Sequence, residues 1–535
     1  MTTLPPGVSA RDFAAAIAEF QQAVGRDWVF TSDEDVALYR DAYSPLWGEP
    51  GERLASAAVA PASVEQVQAI VRIAGKHRIP LYPLSTGMNL TYGGSAPTYS
   101  GSVVVELKRM NRILEVNEAG AYALVEPGVS YFDMYRHLRD NRIKLWVDVP
   151  DPGWGSLLGN AMDRGGGYTM ADFRDHFDAH CGLEVVLANG EVVRTGMGAV
   201  PKAGTWQEFK YGMGPWVDGI FSQSNYGIVT KMGFWMMPEP EAALQVTVDS
   251  PRHDDVHAHV ETLSNLMYQQ IIPSQSGVQS PALGGPMNDE LLALRTRAGG
   301  WPSAADWDRY AASKSRKFWR SNFTFYGPEK IIAAQWEHVK DRFSAAIPGA
   351  TFTERARFKF PLTDAEVDKV ADKAPLGIPS LALFGTRFAP GEAAREAHID
   401  FSPVMPRTGE SMLKGLDVFG RVFAAHGQPP PGAIGALYHP RALIMIQPVI
   451  NGRDAQTNAK ARALFTALVE AAGKNGWAEY RIHPLWQRQA IEVYGYNNNA
   501  LHRLHETLKD ALDPVGILSP GRYDIWPKHL RENRR

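Results

Sequence analysis

The chain has 535 residues, of which 44% are apolar and 21% are charged, and its formal net charge is −3. This length exceeds what one hydrophobic core usually holds, so we expect at least two domains. The near-neutral charge argues against a nucleic-acid or anionic-membrane partner. The single cysteine, Cys181, argues against a disulfide framework and against a zinc site with several thiolates.

The N-terminus lacks the basic and apolar pattern of a signal peptide, and no apolar run reaches the ~18 residues of a membrane-spanning helix. We therefore expect a cytoplasmic protein that does not bind a membrane. No metal site is predicted.

The first third of the chain alternates helices and strands. A stripe of apolar residues from Phe13 to Val24 predicts a helix that Gly25 ends. Ser63 and Gln66 form a capping-box pair, which predicts the start of a second helix. Strands are predicted at 57–60, 81–84, 102–107, 113–116 and 121–125.

The strongest hairpin signal is Asn189-Gly190, which separates the predicted strands 183–188 and 191–195. No GxGxxG fingerprint is present, so a nicotinamide-binding Rossmann domain is not expected. The composition changes near residue 240, where we place a domain boundary. Beyond it, apolar stripes at 332–343 and 461–472 predict two helices, and Gly473 is predicted to end the second. The fold class is α+β with antiparallel strands.

Four loops rich in glycine and serine are candidates for ligand binding. In the loop 85–94, small residues would let consecutive backbone N–H groups converge on an anion such as a pyrophosphate. The segment 150–168 carries six glycines between 153 and 167, which would let a flat ligand approach the backbone. The other two loops are 221–231 and 518–523. Each could also be an ordinary turn, and Asp151 before a proline is a common turn starter.

Long stretches in consistent order carry a resemblance to the vanillyl-alcohol oxidase family of flavoenzymes, which includes eugenol oxidase and the flavoprotein subunit of p-cresol methylhydroxylase. The stretches are STGMNLTYGGSAP (85–97), MNRILEVNEAGAYALVEPGVSYFDM (110–134), VDVPDPGWGSLLGNAMDRGGGYT (147–169), GLEVVLANGEVVRTGMGAVP (182–201), FKYGMGPWVDGIFSQSNYGIVTKMGFWMMPEP (209–240), HIDFSPV (398–404), YRIH (480–483) and DPVGILSPGRYDIWP (513–527).

The resemblance implies a two-domain flavoprotein. The FAD-binding domain would comprise 1–240, completed by 500–535, and the substrate (cap) domain would comprise 241–499. The cofactor would be FAD. The residues implied to contact it are Ser85, Thr86, Gly87, Met88, Asn89, Gly93, Pro150, Ser156, Gly159, Asn160, Gly227, Ile228 and Arg522.

Three residues match the groups that bind the substrate phenol as phenolate in the family: Tyr92, Tyr480 and Arg481. A phenol ionises near pH 10, and a fixed guanidinium with two hydroxyl donors stabilises its anion. Without the resemblance, Tyr480 and Arg481 would be interpreted as a strand end with an exposed arginine.

Asp151 matches the acidic residue near the reactive flavin nitrogen, where it could serve as a general base. His398 stands where the oxidases attach the flavin covalently, so the resemblance implies a covalent FAD. The methylhydroxylase branch uses a tyrosine about fourteen positions earlier, where this chain has Phe384, which cannot form that bond. The alternative is that His398 packs beside a noncovalent FAD.

The chain departs from the family pattern at three places, all near the substrate cavity in the relatives. The segment GYTMADFRDH (167–176) is two residues longer than the usual GYTPYGDH and lacks its second tyrosine. LYHPR (437–441) replaces a Met-His-His motif, and 381–397 also differs. Arg174 and His439 could face the substrate or lie on the solvated surface.

The family match implies oxidation of 4-alkylphenols or 4-hydroxybenzylic alcohols. Hydride would leave the benzylic carbon for FAD through a p-quinone methide, and O2 would reoxidise FAD and give H2O2. A homodimer is expected. The nearest rival is a dehydrogenase that passes electrons to a cytochrome c, because 205–215 and 225–235 resemble the methylhydroxylase branch. A flavin-free binding protein of the same fold is the third hypothesis.

Overall fold

The computed structural model describes residues 3–281, 289–298, 301–382, 397–428, 434–436, 441–452 and 454–533. Within these ranges the fold combines helices with sheets of four, five and eight strands and two separate pairs of strands. The helices are α1 (Ala10–Val24), α2 (Asp33–Ala37), α3 (Val64–His77), α4 (Tyr131–Asp140), α5 (Leu157–Met162), α6 (Ala171–Arg174), α7 (Val256–Tyr268), α8 (Asp289–Ala298), α9 (Ala304–Ser313), α10 (Glu329–Ala346), α11 (Asp364–Lys369), α12 (Gly409–Ala425), α13 (Ala455–Lys474), α14 (Gln487–Glu492) and α15 (Tyr496–Leu512).

The smaller sheet has four strands in the order β1-β2-β4-β3. Both β2 and β3 pair with β4 in parallel. The helix α3 connects β2 to β3 and returns the chain to the end of the sheet at which β2 begins, so the two strands run in the same direction. The prediction of antiparallel strands is therefore wrong for these pairs. The strands are β1 (Val29–Phe30), β2 (Ala57–Val59), β3 (Leu81–Leu84) and β4 (Val103–Glu106).

The second sheet has five strands in the order β5-β6-β10-β8-β9, all antiparallel as predicted. The hairpin predicted at Asn189-Gly190 lies in it as β8 and β9, and the predicted strands 113–116 and 121–125 pair in it as β5 and β6. Its strands, with the short pair β7 and β11 beside it, are β5 (Ile113–Asn117), β6 (Tyr122–Val125), β7 (Leu145–Trp146), β8 (His180–Leu187), β9 (Val192–Arg194), β10 (Gly227–Trp235) and β11 (Met237–Pro238).

The large sheet has eight strands in the order β15-β12-β14-β13-β18-β19-β17-β21, and β16 pairs separately with β20. It begins at residue 242, close to the composition change near residue 240. Its strands and the separate pair are β12 (Ala242–Ser250), β13 (Gly277–Gln279), β14 (Trp319–Gly327), β15 (Thr351–Lys359), β16 (Ala397–Phe401), β17 (Pro403–Pro406), β18 (Ile434–Ala436), β19 (Ala442–Met445), β20 (Gln447–Asn451) and β21 (Ala478–Glu479).

The cores follow the same division. One apolar cluster joins the large sheet to the helices between 256 and 490. Two others lie around the smaller sheets, and residues near the C-terminus complete them: Ile525 packs in one, and Ile517 and Leu518 pack in the other. Leu518 also forms a parallel bridge with Leu81 at the edge of β3. The end of the chain thus returns to the first sheets.

Two local predictions need correction. Ser63 caps α3 as predicted, but the Gln66 amide accepts from the Ala62 N–H at 2.7 Å rather than from Ser63. Gly473 does not end its helix, which continues to Lys474. Gly473 instead lies against Val493, where an added Cβ would come within 3.0 Å of a methyl group.

No helix in the described part of the chain is long and apolar enough to cross a membrane.

Candidate active site

A cavity of about 420 Å³ lies where the four glycine-rich loops meet. The loops lie far apart in the sequence, and the cavity also receives side chains from β16 and from the segment after β21. All predicted site residues except Gly93 line it: Ser85, Thr86, Gly87, Met88, Asn89, Tyr92, Pro150, Asp151, Ser156, Gly159, Asn160, Gly227, Ile228, His398, Tyr480, Arg481 and Arg522.

The loop after β3 depends on two glycines with positive φ. Gly87 has φ +71°, and an added Cβ would come 2.2 Å from the Ser95 hydroxyl. Gly93 has φ +100°, and an added Cβ would come 2.6 Å from Pro484. Gly93 therefore lets the segment that contains Tyr480 and Arg481 pack against this loop, and it is not a lining residue.

The second glycine-rich loop leads into α5. Ser156 caps this helix by accepting from the Gly159 N–H at 2.9 Å. An added Cβ at Gly159 would come 2.1 Å from the Ser85 hydroxyl, so this glycine lets the two loops lie against each other. Ser85 and Gly159 are thus joined by close packing that a larger residue would disrupt.

Tyr92, Tyr480 and Arg481 come together on one wall of the cavity. The guanidinium carbon of Arg481 lies 4.2 Å from the ring centroid of Tyr92 and 6.0 Å from that of Tyr480. Tyr92 ends a short 3₁₀ turn, whereas Tyr480 and Arg481 directly follow β21. Residues almost 400 positions apart are thus brought into contact.

Burial raises the pKa of Tyr92 well above its usual value, and Tyr480 adds to this while Arg481 opposes it. Tyr92 therefore stays protonated and can donate a hydrogen bond. Burial alone would lower the pKa of Arg481, but the neighbouring Asp163 and the two phenols raise it, so the guanidinium stays charged. The wall presents one fixed cation and two phenol hydroxyls.

The sequence analysis missed Asp163, a buried carboxylate that also lines the cavity. It accepts from Asn89 at 2.8 Å, Arg481 at 2.7 Å, the Tyr523 hydroxyl at 2.6 Å and Arg522 at 3.3 Å. Burial acts to raise the pKa of Asp163, but the two guanidiniums and the hydroxyl outweigh it and lower the pKa to about 2. These partners are far away in the sequence, so only its place beside the glycine-rich turn could have indicated Asp163.

Comparisons with known proteins agree with this geometry. Residues 55–196 match a family described as FAD binding domain, and residues 444–523 match FAD linked oxidases, C-terminal domain. The chain is 33% identical to the 4-cresol dehydrogenase [hydroxylating] flavoprotein subunit of Pseudomonas putida, over 98% of this chain and 97% of that protein.

Two solved structures are similar over almost the whole chain. One is 4-ethylphenol oxidase from Gulosibacter chungangensis, with 35% identity, a TM-score of 0.85 and coverage of 99% of this chain and 100% of that chain. The other is p-cresol methylhydroxylase, with 32% identity, a TM-score of 0.84 and coverage of 98% and 99%. The chain belongs to the vanillyl-alcohol oxidase family. It is an FAD-dependent oxidoreductase with the two-domain α+β fold of that family.

The residues present fit FAD. Among the residues that the structure describes, the Asn160 Oδ1 and Arg481 Nε atoms are buried without a hydrogen-bond partner, and both residues line the cavity. Such orphaned polar atoms in the cavity wall are candidates for hydrogen bonds to a bound cofactor. Arg522, held by the Tyr82 hydroxyl at 2.7 Å, adds a second cation to a cavity that must accept an anionic cofactor.

Two further predicted residues of this family member face the same space. His398 is 8% exposed on β16, with its Nε2 3.8 Å from Asp400 Oδ1 and its ring centroid 5.4 Å from that of Tyr43. Asp151 lies on the opposite glycine-rich loop and also lines the cavity. Among the described residues that line the cavity, one imidazole and three carboxylates are present, and the carboxylates are those of Asp151, Asp163 and Asp400.

The longer segment 167–176 has a structural role. His176 is fully buried. Its Nδ1 atom forms a hydrogen bond of 2.9 Å with the Tyr131 hydroxyl, and its Nε2 atom lies 2.7 Å from Asp148 Oδ2. Arg174 is 2% exposed and is not among the lining residues, so the solvated-surface alternative is wrong for it. The short helix α6 buries it near Asp148. Phe384 and His439 lie outside the described residues.

Proposed function

We propose that the protein oxidises para-substituted phenols at the benzylic carbon. The observation that carries the proposal is the contact of the Arg481 guanidinium with Tyr92 and Tyr480 inside the FAD cavity. Two similar structures bear the names 4-ethylphenol oxidase and p-cresol methylhydroxylase, which supports a phenolic substrate.

Tyr92, Tyr480 and Arg481 would bind the phenol oxygen and stabilise its ionised form. A phenol ionises near pH 10 in water, so a charged donor and two hydroxyls must favour the anion for it to form near neutral pH. The phenolate then donates electron density to the ring, which weakens the benzylic C–H bond in the para position. Hydride departure leaves a p-quinone methide.

The loops 85–94 and 150–168 would hold FAD, which would supply the acceptor for this hydride and the route of the electron pair to an external acceptor. The chain's own residues orient the ring and exclude water from it. Asp151 would hold a proton taken from water that adds to the quinone methide, or from the hydroxyl of a benzylic alcohol substrate. The products would be an alcohol, a vinyl phenol or an aldehyde, according to the substituent.

We further propose that a His398 ring nitrogen binds the flavin covalently at its 8-methyl carbon. The position of His398 in the cavity wall supports this role. Denaturing gel electrophoresis tests it, since flavin fluorescence should migrate with the wild-type chain and not with His398→Ala. Fluorescence that separates from the wild-type chain would contradict the covalent bond.

The division into an FAD-binding domain of 1–240 with 500–535 and a substrate domain of 241–499 is also part of the proposal. The separate apolar cores and the return of Leu518 to the edge of β3 support it. A single proteolytic cut near residue 240 should give fragments of about 240 and 295 residues. They should stay associated when FAD is bound, because 500–535 would belong to the FAD-binding domain.

We propose dioxygen as the electron acceptor, with hydrogen peroxide as product. The second candidate is a dehydrogenase that passes electrons to a cytochrome c, because a relative of 33% identity is named 4-cresol dehydrogenase. Incubation with excess 4-ethylphenol in air separates the two. Stoichiometric peroxide supports the oxidase, whereas dye or cytochrome reduction without peroxide supports the dehydrogenase. Absence of both reactions in the yellow holoenzyme would contradict the proposed function.

A further inference from the structure

We propose that Asp163 is a positioning residue that fixes the Arg481 guanidinium for phenolate binding by acting as the shared counter-ion of Arg481 and Arg522. The inference rests on the proposed function, because it concerns the same wall of the cavity. It goes beyond the three residues that would contact the substrate.

The two carboxylate oxygens of Asp163 are both saturated. Oδ2 accepts from Asn89 Nδ2 at 2.8 Å and from Arg481 Nη2 at 2.7 Å. Oδ1 accepts from the Tyr523 hydroxyl at 2.6 Å and from Arg522 Nη2 at 3.3 Å. Only an ionised carboxylate can accept from all four donors, because a neutral amide or acid would place a hydrogen against one pair.

The charges explain why one carboxylate serves two arginines. Two guanidiniums and one carboxylate leave a single excess positive charge within this cluster, and Asp400 adds a further carboxylate near Tyr92. Without Asp163, the two guanidiniums would lie close together in a buried site and repel each other. At least one of them would then leave its position.

Arg481 is the one expected to move. Arg522 keeps the Tyr82 hydroxyl at 2.7 Å as a further partner. Among the described residues, Arg481 would keep the Asn89 Oδ1 atom at 3.0 Å and the rings of Tyr92 and Tyr480. Its Nε atom is buried and has no partner among the described residues, so the charge-assisted bond to Asp163 is the main anchor that fixes the guanidinium.

The test uses the FAD-loaded enzyme and 4-nitrophenol, a coloured phenol without a benzylic hydrogen. Its absorbance reports affinity and the pKa of the bound phenol together. We expect Asp163→Asn to weaken binding about tenfold or more and to raise the pKa at which the bound phenol ionises, with FAD content unchanged. Asp163→Glu, which keeps the charge, should restore affinity to within about threefold. Unchanged or tighter binding by Asp163→Asn would overturn the inference.

Asp218→Asn is the matched control, because Asp218 is also fully buried and accepts from Thr195 at 2.9 Å and His180 at 3.1 Å outside the cavity. A defect shared by both variants would reflect general destabilisation and would overturn the positioning role. If Asp163→Asn loses FAD, the double variant Asp163→Asn with Arg522→Gln tests the role of Asp163 instead, because it removes one negative and one positive charge and keeps the net charge of the cluster. It should also bind 4-nitrophenol weakly, since Arg481 still lacks its anchor, and wild-type affinity would overturn the inference.

Arg481→Ala in the same assay separates this inference from the proposed function. If Arg481→Ala weakens phenolate binding and Asp163→Asn does not, only the role of Asp163 fails. If neither variant changes binding, the phenolate site itself is wrong.

Discussion

The cavity and the core of the large sheet bury polar groups in different ways. In the cavity, Asp163 is ionised and shared by two guanidiniums, and a further guanidinium atom remains without a partner among the described residues. Behind the large sheet, His259 is fully buried between two serines, with its ring nitrogens 2.6 Å from Ser250 and 2.8 Å from Ser321.

The proton on His259 can be assigned from its neighbours. Ser321 donates to the Gly277 carbonyl, so its oxygen accepts from His259 Nε2–H and Nδ1 accepts from Ser250. The imidazole is neutral and fully satisfied. The fold itself thus satisfies His259, whereas the cavity keeps a charged cluster and a guanidinium atom without a partner among the described residues. Four predictions test this difference, in order of decreasing effect.

The largest effect is expected in the apolar core of the large sheet. Phe419 is 1% exposed and packs edge-on against Phe401, with the two ring centroids 4.8 Å apart. Phe419→Ala should lower the free energy of unfolding by about 4 kcal/mol, because it removes a large buried ring and leaves a cavity. Urea denaturation followed by circular dichroism measures this change. Phe209→Ala, at a ring that is 55% exposed, should change it by less than about 0.5 kcal/mol.

In the cavity, a substitution should lower the catalytic rate rather than the stability of the fold. Arg481→Ala should lower kcat/KM for 4-ethylphenol about 10²- to 10³-fold, about 3 kcal/mol, because it removes the charge that stabilises the phenolate. Flavin absorbance should persist. Arg194→Ala is the control, since Arg194 pairs with Glu184 at 2.8 Å away from the cavity lining. Equal loss in both variants would contradict the comparison.

The buried histidine makes a pH-dependent prediction. Burial lowers the pKa of His259 to about 3, against about 6.5 in the unfolded chain. As the pH falls, the unfolded state therefore binds a proton at a higher pH than the folded state does. The contribution of His259 to the free energy of unfolding is complete above about pH 6.5 and is lost as the pH falls toward 3. Between about pH 7.5 and pH 5 the loss should be about 2 kcal/mol.

Denaturation of wild type and His259→Gln at both pH values isolates this contribution, because other titrating groups are common to the two proteins. The variant should lack about 2 kcal/mol of the acid destabilisation. Identical pH dependence in the two proteins would show that the pKa of His259 is the same in the folded and unfolded states and would contradict the prediction.

The smallest effect is expected from a single hydroxyl. Tyr480→Phe should lower kcat/KM about tenfold, since one of three donors to the phenolate is lost while the charge of Arg481 remains. Tyr226→Phe removes a buried hydroxyl that donates to the His505 carbonyl at 2.9 Å outside the cavity lining, and it should leave the rate unchanged. A larger loss of kcat/KM in Tyr226→Phe than in Tyr480→Phe would show that the loss reflects disturbed folding and not the phenolate site.

Local pattern was sufficient for many elements and for the family. The stripe ending at Val24 and the Asn189-Gly190 turn correspond to α1 and to the β8–β9 hairpin, because helix and hairpin signals act over a few residues. Strand direction in the smaller sheet was predicted wrongly, since parallel pairing depends on where a crossover helix returns the chain.

The sequence by itself determined the order of the glycine-rich loops, the cofactor and the residues expected around it, because glycine requirements and long motifs are written in consecutive positions. Only the tertiary structure decided that Gly93 serves packing, that Arg174 is buried and that Asp163 joins Arg481 to Arg522. Burial and charge sharing depend on residues hundreds of positions apart, and a local pattern does not encode such contacts.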